Sequence, residues 1–276
     1  MVIPLLDTRV PEAQAGQRLD RVIPALCPTI SRMHARRMID GGAVFVDGRR
    51  TGISSRLLRA GQQLTCYPLM VSRVTEEPRI VLSRDELFVV DKPAGMAVEA
   101  TRSGSRGTLI HWLQTRAEGF VTHRLDAPVS GLIIVARTKP AQAACNRLFA
   151  EHAVDRQYLA AVAPPPAWEQ QTLEETLDGK PALTRARVLS RAPAAALLEI
   201  RLETGRFRQI RRHLAGARVP VIGDREQSHA LSASRILLHA FRLSFVWRDE
   251  RIEVEAPPPG DYIGELEKVG LHAPSG

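Results

Sequence analysis

The sequence is poor in the features that mark secreted, metal-binding and membrane proteins. Its three cysteines are odd in number and far apart, so they predict neither a disulfide framework nor a pair of metal ligands. The eight histidines show no zinc-site spacing, and we expect no metal. No apolar run approaches the roughly 20 residues of a membrane span, and no leader pattern opens the chain. These absences favour a soluble, cytoplasmic protein without a membrane partner.

Lysine is also scarce, yet the chain is strongly basic. Its 276 residues carry a formal net charge of +8 and have an isoelectric point near 10.1. Arginine supplies most of the positive charge, since lysine occurs only at Lys92, Lys139, Lys180 and Lys268. This balance indicates an acidic polymer as partner, and nucleic acid fits better than membrane. A GC-rich genome also favours arginine, so arginine content alone decides little.

The stretch over residues 122–136 places an acid between a turn and a buried strand. Asp126 follows His123 and Arg124, and a Ser-Gly turn and an aliphatic run come next. A carboxylate fixed at the mouth of a strand is positioned to do chemistry. An ion pair with Arg124 is the plainer interpretation, and Arg-Leu-Asp occurs a second time around Asp20. Asp20 lies in the first turn of a predicted helix, where an acid interacts favourably with the helix dipole. We therefore interpret Asp20 as structural and Asp126 as functional.

A second informative stretch covers residues 204–214. As a helix it predicts one buried stripe of Phe207, Ile210 and Leu214. The adjoining face carries three arginines, which are Arg208, Arg211 and Arg212. An arginine close to a sheet needs an acid or a phosphate as partner. This face therefore predicts either a catalytic ion pair or a surface that contacts RNA.

Residues 14–70 predict a small α/β domain. One amphipathic helix runs from Arg18 to Leu26, and a second begins at Ser31, a good N-cap. The second helix turns several arginines towards solvent, namely Arg32, Arg36 and Arg37. The glycine pair at positions 41 and 42 ends it, and residues 44–48 predict a strand that enters a tight turn.

The rest of the chain predicts an α+β fold. Residues 71–82 resemble a linker, residues 83–260 a larger domain and residues 261–276 a C-terminal tail. In the larger domain the predicted strands outnumber the helices and do not alternate regularly with them. We therefore expect a mixed, largely antiparallel sheet flanked by helices. A helix from Pro140 to His152 is indicated by Thr138 as its N-cap.

These motifs resemble two known families. The order of motifs over residues 18–64 is similar to the S4 RNA-binding domain. The His-Arg-Leu-Asp motif with its Ser-Gly turn, together with Thr-Gly-Arg-x-x-Gln-Ile-Arg at residues 204–211, resembles the RluA-type pseudouridine synthases. A Lys-Pro-x-Gly segment at Lys92, an Arg-x-Tyr-x-Ala strand around Tyr158 and a Leu-His-Ala segment at residues 238–240 extend the resemblance.

The resemblance implies an enzyme that flips a specific uridine of ribosomal or transfer RNA into a pocket and isomerises it without a cofactor. In this family the aspartate that maps to Asp126 starts the reaction, either as a nucleophile or by promoting departure of the base. The arginine that maps to Arg211 keeps that carboxylate charged, and Tyr158 would stack on uracil and assist proton transfer. Further substrate contacts are implied for Arg124, Leu238, Lys92, Arg206 and Gln209. Contacts to structured RNA are implied for Arg18, Arg32, Arg36, Arg37, Arg208 and Arg212.

The chain also departs from the family pattern. Val129 replaces a usual threonine, Arg208 replaces a histidine, and residues 225–229 replace a customary Tyr-Gly, which bears on substrate choice. A monomeric synthase remains the favoured hypothesis. The first alternative is a non-catalytic RNA-binding or ribosome-assembly factor, but loss of catalysis should have removed Asp126, Tyr158 or Arg211. A hydrolase with paired acids is disfavoured, because the acidic pair at residues 174–175 lies in a polar segment.

Overall fold

A computed structural model of the chain describes residues 4–40, 43–67, 76–99, 107–224, 226–227 and 231–274. The described residues up to 67 form one compact unit, and those from 76 onward, apart from Glu99, form a second. The predicted helix end at positions 41 and 42 lies outside the described residues. Across the described ranges, none of the helices combines the length and the apolar character needed to cross a bilayer.

The N-terminal unit packs two α-helices against a four-stranded antiparallel sheet. Its helices are α1 (Leu19–Leu26) and α2 (Arg32–Asp40). Its strands are β1 (Leu6–Arg9), β2 (Val44–Val46), β3 (Arg49–Arg50) and β4 (Gln63–Cys66), in the spatial order β1-β4-β2-β3. Ser31 Oγ accepts the backbone N–H of His34, which confirms the predicted N-cap of α2. Because β1 precedes residue 14, the domain begins earlier than the sequence predicted.

Asp20 joins the first turn of α1 to three arginines. Its carboxylate is fully buried and lies 3.0 Å from Arg18 Nε, 3.1 Å from Arg32 Nη2 and 2.8 Å from Arg36 Nε. Burial alone would raise the pKa of this carboxyl, but the hydrogen bonds from Arg18, Arg36 and Arg32 outweigh burial and hold the pKa well below its usual range. The prediction of a structural Asp20 is confirmed.

The second unit is built on a ten-stranded sheet. Its strands are β5 (Arg79–Ser83), β6 (Leu87–Lys92), β7 (Phe120–Val121), β8 (Ser130–Ala136), β9 (Asp155–Val162), β10 (Gln170–Leu177), β11 (Lys180–Ala192), β12 (Ala195–Leu202), β13 (Leu238–Trp247) and β14 (Glu250–Glu255). The main spatial order is β10-β11-β12-β9-β13-β8-β6-β5, while β7 pairs with β8 and β14 with β13. Strands β8 and β13 pair in parallel, whereas the other described pairs are antiparallel. The predicted α+β fold is confirmed.

Helices cover both faces of this sheet. Helix α3 (Leu109–Trp112), which continues as a π-helical turn, and helix α5 (Gln209–Gly216) pack on one face. Helices α4 (Lys139–Ala150) and α6 (Gly260–Lys268) pack on the other. With both faces covered, β8 is buried along its whole length, which explains its unbroken apolar sequence. The hydroxyl of Thr138 accepts the N–H of Ala141, so the predicted cap of α4 is confirmed.

Two further predicted boundaries are wrong. The supposed tail of residues 261–276 contains most of α6, whose Tyr262 and Leu266 are buried against the sheet. The supposed linker of residues 71–82 includes most of β5, which pairs with β6. Each segment is short, and only its pairing or packing with the sheet shows that it belongs to the larger domain.

Replacing Asp20 with alanine tests the role of this buried carboxylate. We expect the variant to lower the free energy of opening of α1 and α2 by about 2 kcal/mol, because three guanidiniums lose their shared partner while staying partly solvated. Amide hydrogen exchange of these helices in the full chain measures the effect. Glu12→Ala, which removes an exposed acid of the same unit, is the matched control. Equal protection in both variants would contradict the assignment.

Candidate active site

The loop that carries Asp126 is fixed by backbone hydrogen bonds. It connects β7 to β8, and the N–H of Val129 donates to the carbonyl of Asp126 at 3.0 Å. The N–H of Gly95 donates to the carbonyl of Ala127 at 2.7 Å. The loop therefore contains a hydrogen-bonded turn and is joined to the segment after β6. Asp126 is positioned by a rigid frame, while its side chain keeps 18% of its surface exposed.

Lys92 lies under this loop and does not face a substrate. Its side chain is fully buried, and Nζ donates to the carbonyls of Val129 at 2.6 Å and Met96 at 2.8 Å. Burial, together with the charge of Arg235, lowers the pKa of Lys92 to about 7. The expectation that Lys92 contacts the substrate is therefore corrected: in this structure it holds the loop of Asp126 in place.

His123 anchors the other side of the loop. Its Nε2 accepts the backbone N–H of Ile134 at 2.9 Å, and its ring lies 4.5 Å from the ring of Phe149, centroid to centroid. A nitrogen that accepts a hydrogen bond carries no proton, so this imidazole is neutral. Burial, with a smaller effect of the Arg156 charge, lowers its pKa to about 3.

Gly131 lets β8 approach β13 at the foot of the site. Its φ is +118°, and a Cβ atom there would lie 2.2 Å from the carbonyl oxygen of Ala240. Only glycine allows this approach. The close contact brings the start of β8, just after the Asp126 loop, beside the segment that carries Leu238.

Arg211 reaches Asp126 from α5. Its Nη1 donates to Asp126 Oδ2 at 3.1 Å, although the two residues are far apart in sequence. The guanidinium is almost completely buried, with 4% of its side chain exposed. A guanidinium that donates to a carboxylate fixes the direction of that carboxylate. The expected contact between Arg211 and Asp126 is present.

Asp224 is the partner of Arg211 that the sequence analysis did not identify. Its Oδ2 accepts from Arg211 Nε and its Oδ1 from Arg211 Nη2, both at 2.6 Å. Burial would lower the pKa of Arg211, but the hydrogen bonds and charge of Asp224, and then those of Asp126, raise it above its ordinary value. Gly223 makes this position possible, because its φ is +78° and a Cβ atom would lie 2.0 Å from the carbonyl oxygen of Arg235. In the sequence, the Ile-Gly-Asp tripeptide that follows Val221 was the feature that could have pointed to Asp224 as a residue in a tight, buried turn.

Gln209 organises the turn before α5 from within the protein. Its side chain is 2% exposed, and its Oε1 accepts from the hydroxyl of Thr204 at 2.7 Å and the N–H of Arg206 at 3.0 Å. Its Nε2 donates to the hydroxyl of Thr184 and the carbonyl of Leu183. These contacts use the whole amide and hold the turn before α5 in place. Gln209 also lies in the lining of the pocket around Asp126, and its contact with a substrate stays a prediction.

A pocket opens where these elements meet. Tyr158, from β9, is buried at its wall, and Leu238, from the neighbouring strand β13, is part of the same lining. Burial raises the pKa of Tyr158, so its phenol stays protonated near neutrality. Arg124 and Arg206 line the same pocket, as do the side chains of Asp126, Val129, Arg208 and Arg211. Asp126, Arg211, Tyr158, Arg124, Leu238 and Arg206 are thus brought together as the sequence implied.

The remaining arginines of this region are paired with acids. Arg208 contacts Glu226, and Arg212 Nη1 lies 2.8 Å from Asp178 Oδ2. The helix begins at Gln209, so Arg208 precedes it with a left-handed φ of +52°. The predicted buried position of Phe207 is wrong, because the same turn directs its ring outward, where 53% of the residue is exposed.

Comparison with known proteins decides the family. The sequence matches the family described as RNA pseudouridylate synthase over residues 86–216 and the S4 domain over residues 17–64. The ribosomal large subunit pseudouridine synthase D of Xanthomonas campestris pv. campestris is 32% identical over 294 residues, which cover 91% of this chain and 88% of that protein. The protein of the same name from Neisseria meningitidis serogroup B is 33% identical, with coverage of 96% and 82%. The chain belongs to the RNA pseudouridylate synthase family.

Solved structures agree with this assignment. The structure titled human RNA pseudouridylate synthase domain containing 1 is 25% identical, covers 69% of this chain and 87% of its own, and has a TM-score of 0.60. The human protein titled domain containing 4 has the same TM-score at 21% identity, which shows the shared fold. The chain is therefore a pseudouridine synthase with an N-terminal S4 domain. Within this family, the pocket around Asp126 is the candidate active site.

Protonation of His123 should make the second unit less stable in acid. Between pH 3 and 6.5 the unfolded chain binds a proton that the folded imidazole excludes, so stability from this group is complete above pH 6.5 and is lost as pH falls towards 3. His123→Gln should reduce the slope of unfolding free energy against pH by about 1.4 kcal/mol per pH unit. Urea unfolding followed by tryptophan fluorescence measures it, because all three tryptophans lie in this unit. His272→Gln, at an exposed site, should keep the wild-type slope.

Asp224→Asn tests whether Asp224 positions Arg211. Asparagine keeps the shape of the side chain but removes the charge and one acceptor, so we expect Arg211 to shift and turnover to fall by about 10²-fold. Release of tritium from RNA that carries 5-tritiated uridine measures turnover. Asp85→Asn, in an exposed turn, provides the matched control. Wild-type turnover in a folded Asp224→Asn protein would contradict a positioning role of Asp224.

Proposed function

We propose that this enzyme converts specific uridines of structured RNA to pseudouridine, with ribosomal RNA as the first candidate and transfer RNA as the second. The relatives quoted above are named for the ribosomal large subunit, which supports ribosomal RNA. The observation that carries the proposal is the contact of 3.1 Å between buried Arg211 and the partly exposed carboxylate of Asp126, in a pocket shared with Tyr158. The reaction would take place in the cytoplasm on a monomeric enzyme.

Asp126 would start the reaction on the ribosyl–uracil unit. It would act either as a nucleophile or by promoting departure of the base, and both routes need an ionised carboxylate. Arg211 contacts Asp126 through one guanidinium nitrogen, while Asp224 takes two others, so Arg211 does not depend on Asp126 for its position. The uracil would then rotate and reattach through C5. No metal or cofactor enters this route.

The pocket walls fit a base that has left its stack. A flipped uracil would lie against the Tyr158 ring and the Leu238 side chain, which gives one aromatic and one aliphatic contact. The Tyr158 phenol would stack as a neutral ring. In the step at C5 it would pass its own proton to solvent as it takes up the proton that leaves C5, and so remain neutral. Arg124, exposed at the rim, would occupy or steer the space that the base leaves in the RNA.

RNA would also be held through its phosphates. In the N-terminal unit, Arg18, Arg32 and Arg36 keep 38%, 45% and 49% of their side chains exposed while Asp20 fixes their inner N–H groups. Arg37 adds an exposed cation on the same helix. At the second unit, Arg206, Arg208 and Arg212 would serve in the same way, with phosphate competing against Glu226 and Asp178. Such contacts predict binding that weakens steeply with salt.

Pseudouridine mapping tests the proposal directly. Total RNA from cells that lack the gene, and from cells complemented with wild type, Asp126→Asn or Asp249→Asn, would be treated with carbodiimide and mapped by reverse-transcription stops. We expect one discrete set of sites to disappear without the gene, to return with wild type and Asp249→Asn, and to stay absent with Asp126→Asn. Asp249 is an exposed turn residue with a φ of +68°, where asparagine is well tolerated.

Purified protein gives the rate. The Asp126→Asn enzyme should form pseudouridine about 10³-fold more slowly than wild type, because the group that starts the reaction has lost its charge. A folded Asp126→Asn protein that turns over at the wild-type rate would exclude an aspartate-initiated reaction. A map that is unchanged in the absence of the gene would instead favour the RNA-binding factor.

A further inference from the structure

Phe207 is unusual among the aromatic side chains of this protein. All phenylalanines, tyrosines and tryptophans lie in the described ranges, and each of the others is buried or partly buried. Phe207 alone is exposed, with 53% of its surface open to solvent. A single exposed apolar residue is common on protein surfaces, so exposure by itself decides nothing. The position of Phe207 in the structure is what indicates a function for its exposed ring.

The turn that presents Phe207 is rigid. Gln209 binds the N–H of Arg206 and the hydroxyl of Thr204 from its buried position, which fixes the chain on the N-terminal side of the ring. Arg208 takes a left-handed conformation directly after Phe207, and α5 begins at the next residue. Because Phe207 precedes the helix, its ring is excluded from the buried stripe of Ile210 and Leu214. The outward ring therefore follows from an ordered backbone.

Phe207 also adjoins the candidate active site in the chain, although its own side chain is not part of the pocket lining. Its two neighbours in the chain, Arg206 and Arg208, both line the pocket that contains Asp126 and Tyr158. The guanidinium carbon of Arg208 lies 4.7 Å from the centre of the Phe207 ring, within the range of a cation–π contact. An open aromatic face thus adjoins positive charge next to the place where a uridine would enter.

This combination matches the chemistry of unpaired RNA. Nucleobases have apolar faces that stack on exposed aromatic rings and on guanidinium planes, while the adjoining phosphates favour arginine. A protein partner would gain one apolar contact here. RNA would gain a base stack and a phosphate contact with Arg206 or Arg208, and the contact with Arg208 would compete with Glu226. A uridine that leaves its stack to reach Asp126 also leaves a neighbouring base with one face uncovered.

We propose that Phe207 is a stacking platform for an unpaired nucleobase adjacent to the target uridine, with Arg208 as the cation beside it. This proposal rests on the proposed function, because it assumes that a uridine of RNA occupies the pocket. Stacking on Phe207 would hold the flanking nucleotide while the target base lies against Tyr158. Phe207 would therefore contribute to RNA affinity and to the choice of sequence context, and would take no part in the chemical step.

The test compares Phe207→Ala, Phe207→Tyr and Phe207→Trp in the full chain. The probe is a short labelled RNA stem–loop that contains the uridine mapped in the cellular experiment. We expect Phe207→Ala to raise the Kd and the KM about tenfold, with kcat within twofold of wild type, because one base–aromatic stack is lost. The aromatic replacements should bind within about twofold of wild type. Val246→Ala, which truncates an equally exposed apolar residue of the sheet, should change nothing.

A second readout reports stacking itself. A 2-aminopurine placed on either side of the target uridine should be quenched by wild-type enzyme at one of the two positions, and this quenching should be lost with Phe207→Ala. A Kd for Phe207→Ala equal to wild type, or the absence of quenching at both positions, would overturn the proposal. A failure of the proposed function would give a different result: the wild-type enzyme would form no pseudouridine in the same RNA.

Discussion

The buried ion cluster around Arg211 is the interaction on which the active site depends. A guanidinium that is 4% exposed is tolerated only because Asp224 saturates two of its nitrogens and Asp126 takes a third. Removing charge from water is costly unless the partner geometry is excellent. The two carboxylates are not equivalent, since Asp224 is buried and Asp126 keeps an exposed fraction. One acid anchors the arginine and the other remains accessible to a substrate.

The sheet brings these distant residues to one place. Asp126 enters on the loop before β8, Tyr158 on β9 and Leu238 on β13, and these three strands are neighbours at the centre of the sheet. Two glycines set the distances: Gly131 permits β8 to approach Ala240, and Gly223 permits the Asp224 segment to approach Arg235. Lys92 and His123 then fix the Asp126 loop through backbone atoms. The site residues are therefore positioned by backbone hydrogen bonds and by close backbone contacts.

The two Arg-Leu-Asp copies show how context decides the role of one tripeptide. Asp20 is fully buried and contacts three arginines, so its charge stabilises the fold of the N-terminal unit. Asp126 contacts Arg211, whose other nitrogens are occupied by Asp224, and it faces a pocket. The same acid thus orders an arginine surface in one unit and lines the candidate active site in the other.

The sequence alone determined the family, the α+β class, the caps of α2 and α4 and most of the pocket residues, because these depend on local motifs and periodicity. It did not reveal Asp224, nor the structural roles of Lys92 and Gln209, since each depends on partners that only folding brings near. Phe207 was predicted to be buried because helical periodicity was extended past the start of α5. The left-handed backbone at Arg208 ends that periodicity, and such a turn between a strand and a helix is decided by tertiary contacts.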